Sequence, residues 1–183
     1  MGFITKEQLA ERKIQYVGIN RDTGEFELSD KSLHPGIEGF LLGFDTHEFE
    51  YKGKMQKKFD VYLRDGALYQ LQFGFYSWQT FKLMNSLLNV ETLGEGGPLL
   101  ITSGFEKDNF YINIEFDGAK IKWKYSYEDL KLKDLSKEAK EERRNKIIDK
   151  WYTDLMKVKP YIPESPVDTD FSDAKEPEDD DKF

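Results

Sequence analysis

Between residues 37 and 127 the apolar positions recur mostly with a period of two. One stretch switches to a period near 3.6. IEGFLLGFDTHEFEY (37–51) reads as one long, bent strand, and Gly39 and Gly43 permit strong coiling or a bulge within it. Tyr51-Lys-Gly-Lys54 reads as a turn. MQKKFDVYLRD then puts Phe59, Val61 and Leu63 on one face and Asp60, Tyr62 and Arg64 on the other. Asp65-Gly66 signals a tight hairpin, and ALYQLQFGF forms the next strand with Tyr69, Leu71 and Phe73 on one face. SWQTFKLMNSLLNV is the helical stretch: Ser77 caps it, and Phe81, Met84, Leu87 and Leu88 share a face.

The glycine-rich LGEGGP closes that helix. PLLITSGF and NFYINIEF read as strands, the second with Phe110, Ile112, Ile114 and Phe116 inward and Tyr111 outward. After the Asp117-Gly118 turn, AKIKWKYSY alternates as well, with Ile121, Trp123 and Tyr125 opposite Lys120, Lys122 and Lys124. SKEAKEERRNKIIDKWYTDLMKV carries a narrow apolar stripe of Ile147, Ile148, Trp151, Leu155 and Val158, and reads as a second helix. Before residue 37, KEQLAERK reads as a short helix and IQYVGIN as a short strand. From Pro160 onward prolines and acids replace apolar residues, which predicts a disordered tail.

Three strands, one helix and two or three further strands make a mainly β chain. That order is the layout of an OB-fold, a five-stranded Greek-key β-barrel with an inserted helix. The expected organisation is an N-terminal extension (1–36), a barrel domain (37–130), a C-terminal helix (131–159) and a disordered acidic tail (160–183).

Charge sharpens the division. Residues 161–183 hold nine acids and two lysines, a net −7, whereas the whole chain is −8; the other 160 residues are therefore close to neutral at −1. Nearly all the excess charge sits in the tail. Cysteine is absent, which rules out disulfides and thiolate metal sites. The N-terminus lacks the apolar core of a signal peptide, and no apolar run reaches the ~18 residues of a membrane span. These features lead us to expect a cytoplasmic protein without membrane partners.

Catalytic patterns are missing. His34 and His47 are the two histidines, and Asp45, His47 and Glu48 match no metal-ligand spacing. Gly94-Glu-Gly-Gly97 is not followed by the Lys-Ser/Thr of a phosphate loop. There is no serine elbow and no thiol nucleophile. The expectation is a protein without enzymatic activity, metal or cofactor.

What remains is basic side chains interleaved with aromatic rings, the chemistry that grips single-stranded nucleic acid. One such stretch carries Lys52, Lys54, Lys57, Lys58 and Arg64 with Tyr62. Another carries Lys120, Lys122 and Lys124 with Trp123. Tyr111 lies on a non-core strand face, and Tyr76 and Trp78 open the helix; all three are further stacking candidates. The competing reading of both lysine stretches is a solvated face or a protected strand edge. The tail closes in EPEDDDKF, whose aromatic end next to Asp179, Asp180 and Asp181 suits a partner with a small apolar pocket ringed by cations.

A barrel of OB type followed by an acidic tail ending in DDDKF resembles the single-stranded DNA-binding proteins of bacteria and tailed bacteriophages. Bacterial members usually carry a proline where Lys182 stands, so the bacteriophage type resembles this chain more. The resemblance is specific at the last eight residues and architectural over about 37–127; the helix at 136–158 has no counterpart in it. It implies coating of single-stranded DNA in replication, recombination or repair. It also implies recruitment of a polymerase, helicase or nuclease through Asp179, Asp180, Asp181 and Phe183, and for a phage protein the host cytoplasm as location. Two other classes stay open: a β-barrel interaction protein that binds no nucleic acid, and an acidic mimic of DNA.

Overall fold

The computed structural model describes residues 14–163. They form a mainly β protein built on one open, mixed sheet of nine strands. In chain order the strands are β1 (Ile14–Ile19), β2 (Phe26–Leu28), β3 (Leu33–His34), β4 (Gly36–Tyr51), β5 (Lys54–Asp65), β6 (Ala67–Gly74), β7 (Pro98–Glu106), β8 (Asn109–Phe116) and β9 (Ala119–Ile121). Helix α1 (Trp78–Leu87) lies between β6 and β7, and helix α2 (Lys137–Val158) follows β9. The spatial order is β3-β2-β1-β6-β5-β4-β7-β8-β9. The short helix expected in KEQLAERK and most of the acidic tail lie outside the described residues.

The central five strands run as the alternation predicts. β4, β5 and β6 form an antiparallel meander, β7 returns beside the first half of β4, and β8 pairs with β7. The register of β4 against β5 shifts between Leu41 and Gly43, so the bulge falls at one of the two glycines expected to permit it. No ladder joins β6 to β8. The free side of β6 is taken instead by β1, in parallel, with Val17 opposite Leu71. The stretch expected as an N-terminal extension thus adds three strands to the sheet from residue 14 on.

Ser77 caps α1 as expected, accepting from the Thr80 amide at 3.1 Å. The core is rich in phenylalanine: Phe26, Phe44, Phe59, Phe75 and Phe81 are fully buried with Leu63, Leu71, Leu83 and Leu99. Helix α2 belongs to the same core through buried Ile148, Trp151 and Leu155, and the Trp151 ring packs on Phe81 at 5.0 Å.

Two expectations about the chain's course need correction. The strand predicted over AKIKWKYSY stops at Ile121. Residues 122–127 leave the sheet and lie along α1, where Asn85 takes the place of a strand partner. Its side-chain amide donates to the Tyr125 carbonyl at 2.9 Å, and its oxygen accepts from the Tyr125 amide at 3.0 Å. Alternation there reflects one side packed on a helix, not a ladder. The second concerns Pro160 and Tyr161, expected within the disordered tail. They return to the sheet: the Phe44 amide donates to the Lys159 carbonyl at 3.0 Å, and the Tyr161 amide donates to the Phe44 carbonyl at 2.8 Å.

Candidate nucleic-acid interface

The face of β5 opposite the core carries Gln56, Lys58, Asp60, Tyr62 and Arg64, as alternation requires. Cross-strand neighbours continue it. Gln70 of β6 lies opposite Tyr62, with Tyr16 of β1 beyond it, while Gly43 of β4 stands on the other side. One step along, Gln72 and Asp45 flank Asp60, and then His47 lies opposite Lys58. Lys58 and Arg64 are six residues apart on one strand, or about 20 Å.

The middle of this face is covered. Tyr62 lies under the ring of Tyr161, stacked at 3.6 Å between centroids and 7° between planes. Tyr62 was expected to offer its ring to a base, but it is 8 % exposed, and burial pushes its phenol well above the ordinary range. Gly43 makes the crossing fit: a methyl group there would sit 2.6 Å from the Tyr161 nitrogen. Asp60 is buried as well, and its Oδ2 meets His47 Nδ1 at 2.5 Å. Burial raises the Asp60 carboxyl above its ordinary value, and the bond from His47 opposes that rise without cancelling it. The DTHEFE stretch therefore supplies a structural pair. No group of three or more potential metal ligands occurs among the described residues.

A cleft opens at each end of this face. Near Arg64, one of about 300 Å³ is lined by Leu42, Arg64, Lys159, Pro160, Tyr161 and Ile162. Near Lys58, one of about 360 Å³ is lined by Arg21, Gln56, Lys58, Gln72 and Phe105 among others. Neither has an Asp or Glu in its wall.

The other expected residues are distributed elsewhere. Lys52 sits in the β4–β5 turn, 5.2 Å above the Tyr51 ring, and Lys54 opens β5; both are exposed. Lys57 points to the core side of β5, where its ammonium lies 4.0 Å from the Phe75 ring centre. Tyr76 donates its hydroxyl to Asp149 of α2 at 2.9 Å. Trp78 lies beneath the Arg144 guanidinium at 4.8 Å, and Trp123 packs edge-on against Tyr127 at 5.4 Å. Lys120, Lys122 and Lys124 are exposed; Lys120 lies in β9 opposite Glu115, and Lys124 donates to the Leu88 carbonyl at the C-terminus of α1 at 3.0 Å. Tyr111 packs on Gly104 in a cleft of about 980 Å³ whose wall includes Glu38 and Glu106, a poor place for a phosphate.

The two lysine stretches are therefore not neighbours: β4, β7 and β8 lie between β5 and β9 in the sheet. Arg21, Gln56, Gln72, Phe105 and Tyr161 join the β5 face without having been singled out in the sequence. Their membership depends on contacts across the fold and leaves no local signal. Searches of protein-family models, of curated proteins and of solved structures found no match to this chain.

Proposed function

We propose that this protein binds single-stranded DNA without enzymatic activity, along the outer face of β5 and β6. The observation that carries the reading is the pair of acid-free cationic clefts, each with an aromatic wall, at the two ends of one strand face. Cations held over a run of about 20 Å follow a phosphate chain, and rings beside them accept unstacked bases. The strand order supports an OB-type reading of the central unit. A three-strand meander, a helix and two returning strands are its layout, and nucleic acid binds such units on their second and third strands, here β5 and β6.

In this reading Lys54, Lys58 and Arg64 hold phosphates, joined by Arg21 and Lys159. Residues 164–183 carry all of the −7, and they begin three residues after Tyr161, which with Ile162 lines the Arg64 cleft. Tethered charge so close competes with phosphate at high effective concentration. The same segment, with Asp179, Asp180, Asp181 and Phe183, is our proposed contact for replication or recombination proteins. No described helix is long and apolar enough to cross a membrane.

The test is the fluorescence anisotropy of dye-labelled oligo-dT titrated with the full chain and with one ending at Pro163. The expected result is binding that weakens steeply with salt and is tighter without residues 164–183. No binding by either chain at low salt would overturn the proposal and favour an interaction protein.

A further inference from the structure

The sheet curls until the β1–β2 turn meets the β7–β8 hairpin. A methyl group on Gly24 would lie 2.8 Å from the Gly104 carbonyl carbon, so the two backbones touch. The cleft of about 360 Å³ lies at this meeting, bounded also by the end of β6 and the first turn of α1. Its wall presents Arg21 and Lys58, the amides of Gln56, Gln72 and Gln79, and the ring of Phe105.

Each part has a use for one kind of ligand. Among the described residues none of the three amides makes a side-chain hydrogen bond, so their donors and acceptors remain for a ligand's polar edge. Phe105 is 43 % exposed although it stands on a braced hairpin. Phe110 supports its ring edge-on at 5.8 Å, and Lys82 donates to the Phe110 carbonyl at 2.6 Å. The volume is at the small end of ligand pockets, suited to a single flat heterocycle and its phosphate.

We infer that this cleft holds one unstacked nucleotide of the bound strand, with its base on Phe105, the base edge on the glutamine amides and its phosphate on Lys58 and Arg21. The inference rests on the single-stranded DNA reading above and adds base selectivity to it. Stacking along the rest of the face accepts any base, whereas a base that fails to pair with these amides leaves them unsatisfied in a confined site.

The experiment is competition among oligo-dT, oligo-dA and oligo-dC of equal length, using the full chain. Wild type should separate the strongest from the weakest by about fivefold or more, the scale of one net hydrogen bond. Gln79→Leu combined with Gln56→Ala should cut that ratio below about twofold while keeping the salt slope. Phe105→Ala should weaken all three by about fivefold or more, as expected for loss of one stacked base. Circular dichroism confirms that each variant is folded, and Gln56→Ala alone serves if the double variant is not. A wild type that binds all three alike, or a ratio untouched by the glutamine substitutions, would overturn the inference and leave the DNA-binding reading in place. A wild type that binds none at low salt would remove that reading first.

Discussion

Tyr161 stacks on Tyr62 at 3.6 Å and 7°, although 99 positions separate them in the chain. The stack forms because α2 ends at Val158 and two backbone hydrogen bonds to Phe44 carry the next residues across β4. It places Tyr161 beside Arg64, and it removes Tyr62 from solvent. Tyr161→Ala should therefore cost about 2 kcal/mol, combining a lost aromatic pair with a partly refilled space. That corresponds to a melting temperature lower by about 4–8 °C for a chain of this size. Spectrophotometric titration should also show the Tyr62 phenol moving down toward its ordinary range, because the burial that raises it is relieved. A phenol titrating as in wild type would mean that the strap does not cover Tyr62 in solution.

Gly43 is the point over which the strap crosses. Its φ is 154°, and a methyl group would come within 2.6 Å of the Tyr161 nitrogen and 2.8 Å of the Pro160 carbonyl carbon. Both are backbone atoms, so the strap must shift as a unit. Gly43→Ala should destabilise by about 1–3 kcal/mol and speed proteolysis after residue 159. Gly53→Ala, in open space at the tip of the β4–β5 turn with a φ of 72°, meets no neighbour and should leave that proteolysis unchanged. Unchanged proteolysis after residue 159 in Gly43→Ala would show that the strap does not cross at this point.

Asp60 gives the stability a dependence on pH. Its carboxyl is raised by burial from an ordinary 3.8, so the folded chain binds this proton more tightly than the unfolded chain. As pH rises from the ordinary value through the raised one, the native state still holds a proton that the unfolded state has released, and stability falls. Asp60→Asn lacks that loss. Urea unfolding followed upward from about pH 3 should show the variant gaining on wild type as pH rises. A constant gap across the window would refute the shift.

Salt dependence separates the two lysine stretches. Lys58→Ala and Arg64→Ala should each reduce the slope of log K against log salt by about 0.7, the share of one phosphate on a single strand. Lys122→Ala, on the segment packed along α1, should leave the slope unchanged. The reverse pattern would move the interface to the α1 side of the molecule.

Much of the scaffold is legible in the alternation. Phe59, Val61 and Leu63 are buried where period two puts them, the turn at Asp65-Gly66 joins β5 to β6, and Ser77 caps α1. The site was legible only in part. Lys58 and Arg64 lie on the expected face, but Tyr62 is covered and Trp78 is packed under Arg144. Lys120, Lys122 and Lys124 lie beyond three further strands. An outward position on a strand says only that the residue does not face that strand's own core. Whether another segment crosses over it depends on where a distant part of the chain returns.

By itself the sequence determined the strand and helix periods, the hairpin turns and the concentration of negative charge after residue 160. These follow from the backbone geometry of neighbouring residues and from counting. Only the tertiary structure decided that β1 joins β6 in parallel, that the chain after α2 lies across Gly43, and that Arg21 and Phe105 meet Lys58 at one cleft. Those contacts join residues tens of positions apart. Their stability comes from burial and from backbone hydrogen bonds that no local pattern specifies.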